Sequence, residues 1–224
     1  MITLENIKNH GEYMVVDSAH PLRTFSSAMY NAGYGNFTYF MNRTVDTSYY
    51  PDDANEEIRE YIKNRGYPLD ETVAMMTAVD MEFAQTATYE DANTSITLLV
   101  TAGLGNAVDV TRSHEYVYRV APGTINMFIF INGNCSDEAL IQALCCAVEV
   151  KTKVLHDKGI LDLQSNTLAT GTSTDSVLVA STQQGEFHQY GGSITQLGSL
   201  IGKGLYETLH KAVDEYIAFI EGVK

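Results

Sequence analysis

The chain has 224 residues, of which 45% are hydrophobic and 19% are charged, a composition typical of a globular protein and not of a disordered one. Acidic residues outnumber basic residues by 28 to 14, so the formal net charge is −14. A surface with this charge repels phosphate backbones and anionic lipid headgroups. We therefore expect neither a nucleic acid nor a membrane as a partner.

The three cysteines indicate a reducing compartment. Their number is odd, and Cys145 and Cys146 are adjacent, which disfavours a disulfide framework that includes Cys135. The first residues contain no basic region followed by an apolar run, and no segment is long and apolar enough to span a bilayer. These features predict a cytoplasmic protein. The sequence has no CxxC, HxxxH or HxH unit, so we predict no metal site.

The first half of the chain is rich in strand-forming residues. Short β-leaning runs occupy residues 14–16, 23–29 and 36–42. Residues 51–65 are polar and acidic with apolar residues at helical spacing, which predicts a surface helix. The apolar run 75–83 fits either a strand or a short helix.

Three continuous apolar runs follow, at residues 95–102, 124–132 and 176–180. Strands that are apolar on both faces usually lie inside a sheet that is covered on both sides. The sequence therefore predicts that these strands lie at the centre of a sheet that is covered on both sides.

Two helices are predicted in the second half. Ser136 is a suitable N-cap for a helix that ends near Gly159, a suitable C-terminal cap. A long helix with one apolar stripe runs from about residue 194 to residue 220. Together with the strands, they predict one α+β domain over residues 1–224, with a mixed β-sheet, helices packed on it and a long C-terminal helix.

Three polar, glycine-containing segments lie at the ends of these elements, where binding and catalytic residues often occur. Residues 101–107 (TAGLGNA) fit neither GxGxxG nor a P-loop, and their spacing favours a turn with Asn106 at positive φ. Residues 190–193 open the last helix; its free N–H groups can bind an oxyanion, although Ser193 acting as a simple N-cap is favoured.

The third segment, residues 169–175 (ATGTSTD), has four hydroxyl groups and one carboxylate beside a buried strand. A hydroxyl there can attack an amide carbonyl, and Asp175 can orient a base or bind substrate amides. Alternatively, the hydroxyls cap their own backbone in a turn. The sequence leaves both interpretations open.

On the middle helix, Glu149 and Lys151 interrupt the apolar pattern and point to different faces. Lys151 lies on the apolar stripe, so its ammonium either reaches a pocket or snorkels along the core, and the pattern favours snorkelling.

Seven segments together resemble the adenosylcobinamide amidohydrolase family. They are PLRTFSSA (21–28), MTAVD (76–80), VTAGLGNA (100–107), PGTIN (122–126), AVEVKTKVLHDKGI (147–160), ATGTSTDSVLVAS (169–181) and LGSLIGKGLYE (197–207). The resemblance covers most of the chain in family order, and TGTSTDSVLVA beside EVKTKVL is its most specific part. It implies hydrolysis of the amide that holds aminopropanol, or its phosphate-bearing form, on adenosylcobinamide, giving adenosylcobyric acid for cobamide salvage.

The resemblance carries over no catalytic assignment, so the placement of the site is our own hypothesis, built from the matched motifs. The catalytic residues we predict from the matched motifs are Asp175, Thr172, Thr174, Glu149 and Lys151. The substrate-binding residues we predict are Asn106, Asn42, Thr101, Gly171 and Ser193. Asp175 is expected to act as base or orienter, Glu149 to activate water, and Lys151 to stabilise the oxyanion.

The expected partner is adenosylcobinamide or a related corrinoid, and a homo-oligomer is compatible with the sequence. We predict no cofactor, since cobalt enters only with the substrate. Corrinamides that lack their nucleotide carry positive charge at cobalt, with which an acidic protein is compatible.

Two alternatives stay open. One is a corrinoid-binding protein without catalysis. The other is a self-processing amidohydrolase, since the order of strand, helix, Gly/Thr-rich loop and strand faintly resembles enzymes that cleave themselves to expose an N-terminal Thr or Ser.

Overall fold

Strands and helices make up most of the computed structural model, which describes residues 1–49, 51–115 and 123–222. Pro122 of the PGTIN segment lies outside these residues. The strands are β1 (Ile7–Asn9), β2 (Tyr13–Ser26), β3 (Gly33–Thr44), β4 (Thr72–Thr77), β5 (Gln85–Asp91), β6 (Thr94–Ala102), β7 (Ala107–Val108), β8 (Ile125–Asn132), β9 (Asn134–Cys135), β10 (Leu161–Asp162), β11 (Thr167–Leu168), β12 (Gly171–Thr172), β13 (Ser176–Ser181) and β14 (Phe187–His188). The α-helices are α1 (Ala54–Asn64), α2 (Asp137–Asp157) and α3 (Gln196–Ile220).

The main sheet is mixed, as the sequence predicts. Its order is β4–β3–β2–β13–β8–β6–β5, with β1 also paired to β2. β13 runs parallel to β8, and β3 runs parallel to β4, whereas the other neighbouring pairs are antiparallel. The apolar runs in the middle of the sequence form β6 and β8, and all their residues are buried. This confirms the prediction that these strands are covered on both faces.

The sheet bends within β2, where the register with β3 shifts between Asp17 and Leu22. The part of the sheet formed by β2, β3 and β4 therefore packs face to face with the part formed by β6, β8 and β13. The rings of Phe40 on β3 and Phe130 on β8 are 5.1 Å apart between centroids, although the two strands are not neighbours in the sheet. A buried apolar cluster fills the space between the two parts of the sheet.

Helices cover the two outer faces. On one side, α2 and α3 pack against the second face of β6, β8 and β13. On the other side, Ile58 and Ile62 of α1 pack against Met41 and Ala74. The layers are therefore helix, sheet, sheet and helix, which fits the predicted fold class. In the described part of the chain, none of the helices is long and apolar enough to cross a membrane.

Capping explains where the long helices begin and end. Ser136 Oγ accepts a hydrogen bond from the Ala139 N–H at 3.0 Å, and Gly159 adopts a φ of +64° just after α2, so both predicted ends of α2 are confirmed. The favoured N-cap at Ser193 is wrong. Thr195 caps α3 instead, through the Gly198 N–H at 3.0 Å, because a turn fastens Thr195 to the Gly192 carbonyl.

The first half contains longer strands than the sequence indicates. The short runs are parts of β2 and β3, which have 14 and 12 residues. The ambiguous run 75–83 is divided between β4 and a 3₁₀ turn, Met81–Phe83. Polar residues interrupt the apolar pattern in β2 and β3, and pairing with neighbouring strands keeps them in the sheet.

Candidate active site

Two of the three polar segments lie together. β12 pairs with β7, which sets Gly171 opposite Val108 and Thr172 opposite Ala107. The hydroxyl-rich segment therefore lies against the chain that follows β6. It leads directly into β13, whose first residues are in register with the start of β8. Three strands of the main sheet, β6, β8 and β13, thus fix the position of this loop.

The polar segment at residues 190–193 lies apart from the other two. A Cβ on Gly191 would clash with the Ala139 backbone in the first turn of α2. Lys151 is twelve residues further along that helix, roughly 18 Å away at the rise of an α-helix. Ser193 is exposed and lies near the opposite end of α2, so the structure does not bring it together with the other predicted site residues.

A buried ion pair joins α2 to the hydroxyl-rich loop. Lys151 Nζ donates to Asp175 Oδ2, and the two side chains are only 10% and 12% exposed. Lys151 therefore does not extend to solvent along the core, the arrangement that the sequence pattern favoured. Neighbouring Thr152 fastens the same turn of α2 to the loop through the Thr170 carbonyl at 3.0 Å.

The Asp175 carboxylate accepts four hydrogen bonds. Oδ1 accepts from the Ile125 N–H at 3.0 Å and from the Thr172 hydroxyl, and Oδ2 accepts from the Thr172 N–H at 2.9 Å and from Lys151. A carboxylate has about four lone-pair positions, and all of them are used here. Asp175 therefore has no position left to accept a hydrogen bond from a water molecule.

Gly171 makes room for this pair. A Cβ at this position would lie 2.6 Å from Lys151 Nζ and still closer to Asp175 Oδ2, which no real side chain permits. The small residue is thus required by the close approach of two charged side chains. Its predicted role in substrate binding remains a prediction.

Asn106 tethers the exposed part of the loop. Its Nδ2 donates to Ser173 Oγ at 2.7 Å and more weakly to Thr174 Oγ1 at 3.3 Å. Thr174 in turn donates to the Gly123 carbonyl at 2.6 Å. The expected positive φ at Asn106 is wrong, because these side-chain contacts and not a left-handed backbone determine its position. Asn106 Oδ1 is buried and faces Gly123, and none of the residues that the structure describes donates a hydrogen bond to it.

Asn42 and Thr101 lie in a buried amide network between the two parts of the sheet. Asn42 Nδ2 donates to Thr101 Oγ1 at 3.0 Å, and its Oδ1 accepts from Asn126 Nδ2 at 2.7 Å. All three residues are fully buried. Asn126 was missed by the sequence reasoning, although a polar residue inside the apolar run 124–132 was a usable signal. Thr124 connects this network to the loop through the Thr174 carbonyl at 2.7 Å.

Glu149 is exposed on α2. No hydrogen bond or ion pair of the described residues joins it to Asp175 or Thr172, and its predicted action on water stays a prediction. Its charge acts on Cys146, whose pKa is raised first by burial and then by Glu149.

A cavity of about 1330 Å³ approaches the loop from the side of β3 and β4. Its described lining comes from the turn between β1 and β2, the residues after β3, one side of α1, the segment from Ala78 to Phe83, Gly103, Gly123 and the last turn of α3. We call it the α3 cavity. It meets the hydroxyl-rich loop at Gly123, whose carbonyl accepts from Thr174. Thr172, Asp175 and Lys151 lie beyond Gly123 as seen from the cavity, and they do not line it.

Charged side chains fix the far rim of the α3 cavity. Arg43 pairs with Glu57 at 2.6 Å, and Tyr49 donates to the same carboxylate at 2.7 Å. Burial raises the pKa of Glu57, but the hydrogen bonds from Arg43 and Tyr49 outweigh it, and the net pKa is lowered. Glu57 is therefore an anion at neutral pH. In the described ranges, no group of three or more His, Cys, Asp or Glu side chains could hold a metal ion.

Known proteins resemble this chain along most of its length. Among solved structures, a β-aminopeptidase from Burkholderia sp. aligns with a TM-score of 0.46 and 12% identity, over 94% of this chain and 81% of its own. A protein named adenosylcobinamide amidohydrolase from Methanosarcina mazei is 28% identical, over 82% of this chain and 86% of its own length. A second protein of that name, from Halobacterium salinarum, is 26% identical over 89% and 84%. A family model described as adenosylcobinamide amidohydrolase matches residues 1–220.

Proposed function

We propose, since the chain belongs to the adenosylcobinamide amidohydrolase family, that it hydrolyses the amide between aminopropanol and the corrin ring of adenosylcobinamide. The products are then free aminopropanol and adenosylcobyric acid, which re-enters cobamide synthesis. The enzyme is an amidohydrolase, and the amide that it cleaves is not a peptide bond. The observation that supports a site for this reaction is the Thr172 hydroxyl that donates to Asp175 beside the buried Lys151.

The geometry favours Thr172 as the nucleophile. Because all four positions on the Asp175 carboxylate are taken, the proton that it accepts must come from one of its present donors. Two of these are backbone amides, which do not give up their protons, and Lys151 is a cation that balances the carboxylate. The Thr172 hydroxyl is the remaining donor, and losing its proton to an adjacent base makes its oxygen nucleophilic.

The steps then balance. Thr172 Oγ1 attacks the amide carbonyl carbon as its proton passes to Asp175, forming a tetrahedral oxyanion. The C–N bond breaks, the aminopropanol nitrogen takes the proton, and an ester joins the corrinoid acyl group to Thr172. Water hydrolyses the ester and restores the threonine. The positive charge of Lys151 lies next to the reacting groups and stabilises the negative charge that develops.

The test is incubation of the purified protein with adenosylcobinamide, followed by chromatography for adenosylcobyric acid and aminopropanol. We expect Thr172→Val and Asp175→Asn each to lower turnover by about 100-fold or more, and Thr172→Ser to retain activity. Asp214→Asn serves as the matched control, because it removes a carboxylate from another ion pair of α2, that of Lys158. Its turnover should equal that of the wild type.

Different results would separate the alternatives. Full turnover in Thr172→Val would refute threonine as the nucleophile while leaving the reaction in place. Tight corrinoid binding by the wild type without product would favour a binding protein. Two fragments in the mass spectrum of the purified chain would support the self-processing amidohydrolase.

A further inference from the structure

The α3 cavity is larger than a pocket for an ordinary small metabolite. Pockets that enclose drug-sized ligands measure about 300–1,000 Å³, and this one measures about 1330 Å³. Its openings and lining come from elements of both sheet parts and from two helices, so its size is set by the fold and not by one loop. A ligand that fills it must be both large and rigid to make use of such a preformed space.

The outer wall of the cavity is aromatic. The rings of Phe83, in the turn after β4, and Phe219, in the last turn of α3, are 5.1 Å apart between centroids at an angle of 49°. Phe219 is 52% exposed, and the neighbouring Ile220 is also exposed. Exposed apolar side chains that gather beside a cavity are typical of a ligand surface, and aromatic faces pack well against flat, largely apolar groups.

The inner end of the cavity is formed by backbone, at Gly103 and Gly123. Gly123 has a φ of +144°, and a Cβ there would lie 2.5 Å from Asn106 Oδ1 and 2.9 Å from the Gly105 nitrogen. No side chain fits at this position. Gly123 thus packs directly against residues 105–106, and through Thr174 it adjoins the loop that carries Thr172 and Asp175.

The rim of the cavity carries two acidic side chains. Asp46 and Asp80 line the cavity. Within the described residues, their carboxylates accept hydrogen bonds from their own turns, from Ser48 and from the Glu82 N–H, and neither has a basic partner. The two arginines on the lining, Arg43 and Arg65, are paired with glutamates. The cavity therefore favours a ligand with positive charge.

We propose that the α3 cavity holds the corrin ring of the substrate against Phe83 and Phe219, with the aminopropanol arm directed inward past Gly123. This inference rests on the proposed function, which supplies a corrinoid as the substrate. A broad, rigid, cationic macrocycle matches the size, the aromatic wall and the charge of the cavity. The arm is the part that must reach the Thr172–Asp175 loop, and Gly123 is the point at which the cavity meets that loop.

The experiment measures corrinoid binding separately from hydrolysis. The probe is cobinamide without an adenosyl group, and its dissociation constant is measured by quenching of protein tyrosine fluorescence for the wild type, Phe219→Ala and Phe219→Tyr. Phe187→Ala is the matched control, because Phe187 is likewise exposed but lies on β14, outside the cavity lining. Phe83→Ala provides a second variant on the same wall.

We expect Phe219→Ala and Phe83→Ala to weaken cobinamide binding by about tenfold, and Phe219→Tyr and Phe187→Ala to bind as the wild type does. With adenosylcobinamide, the two alanine variants should raise KM by a similar factor and leave kcat within about twofold. Unchanged affinity in both alanine variants would overturn the ring site even if hydrolysis is normal. Weakened binding of adenosylcobinamide alone would place the adenosyl group on the wall and also overturn it. A wild type that binds no corrinoid would refute the proposed function together with this inference.

Discussion

Replacing Gly171 by alanine tests whether the site depends on the close approach of Lys151 and Asp175. The new Cβ would lie 2.6 Å from Lys151 Nζ, so one of the charged groups must move. The carboxylate is held by the backbone N–H groups of Ile125 at 3.0 Å and Thr172 at 2.9 Å. Asp175 Oδ2 lies even closer to the new Cβ, so moving the flexible ammonium alone does not relieve the clash. The carboxylate must shift as well, and we expect the ion pair to break.

The magnitude follows from the burial of the pair. A hydrogen bond to a charged group contributes about 1.5–3 kcal/mol, and solvent screens it little where both side chains are almost buried, as they are here at 10% and 12% exposure. In a domain of this size, each kcal/mol lowers the melting temperature by about 2–4 °C, so Gly171→Ala should lower it by roughly 3–12 °C. Displacing a group of the site by about 1 Å costs about 100-fold in rate, and we expect a loss of that order.

The assay combines thermal unfolding, followed by circular dichroism, with turnover of adenosylcobinamide. The matched control is Gly202→Ala in α3, where an added Cβ meets nothing within 4 Å. Alanine should stabilise this half-buried helical position by up to about 1 kcal/mol and leave turnover unchanged. Wild-type turnover and melting temperature in Gly171→Ala would refute the reasoning. Equal losses in both variants would show that the effect does not come from the Lys151–Asp175 contact.

Two further predictions concern groups outside the ion pair. Asn42→Ala removes the Asn42 partner of the Thr101 hydroxyl and of one Asn126 N–H, while Asn126 Nδ2 keeps the Met76 carbonyl as an acceptor. Chemical denaturation should therefore show a loss of about 2–5 kcal/mol, while the folded protein keeps its corrinoid affinity. Weakened affinity at unchanged stability would instead support direct substrate binding by Asn42. Burial lowers the pKa of His188 below its ordinary value of 6.5, so the unfolded chain binds the proton first and this histidine costs stability as the pH falls below 6.5. His188→Gln should therefore flatten the fall in melting temperature between pH 7 and pH 5, and an unchanged slope would contradict this assignment.

The long elements could be predicted from local pattern. A strand that is buried on both faces has a continuous apolar run, as β6, β8 and β13 do. A helix that is buried on one side has a periodic apolar stripe, as α2 and α3 do. Both patterns are present in the sequence regardless of which elements pack against them. The strands in the first half of the chain were harder to predict from the sequence. β2 contains His20, Pro21 and Arg23, and it remains one strand only because β3 and β13 pair with it.

The residues of the candidate site could be recognised from the sequence, but their contacts with one another could not. The dense hydroxyls of residues 169–175 and the charge of Lys151 on an apolar stripe were visible in the sequence, but the pattern favoured a snorkelling lysine, because nothing local indicates a carboxylate 24 residues later as its partner. The same limit applies to Asn42 and Thr101. They lie on β3 and β6, which are not neighbours in the sheet, and only the bend of the sheet brings their side chains within 3.0 Å.

The sequence by itself determined the class of the fold, the long buried elements, the acidic surface and the family resemblance, because each depends on residue type and short-range spacing. Tertiary structure alone decided which polar groups meet. The pairing of β7 with β12 brought the two glycine-containing loops together, and the register of β13 with β8 placed Asp175 at the Ile125 amide. Contacts between residues far apart in the chain depend on the packing of whole layers, and no local pattern encodes them.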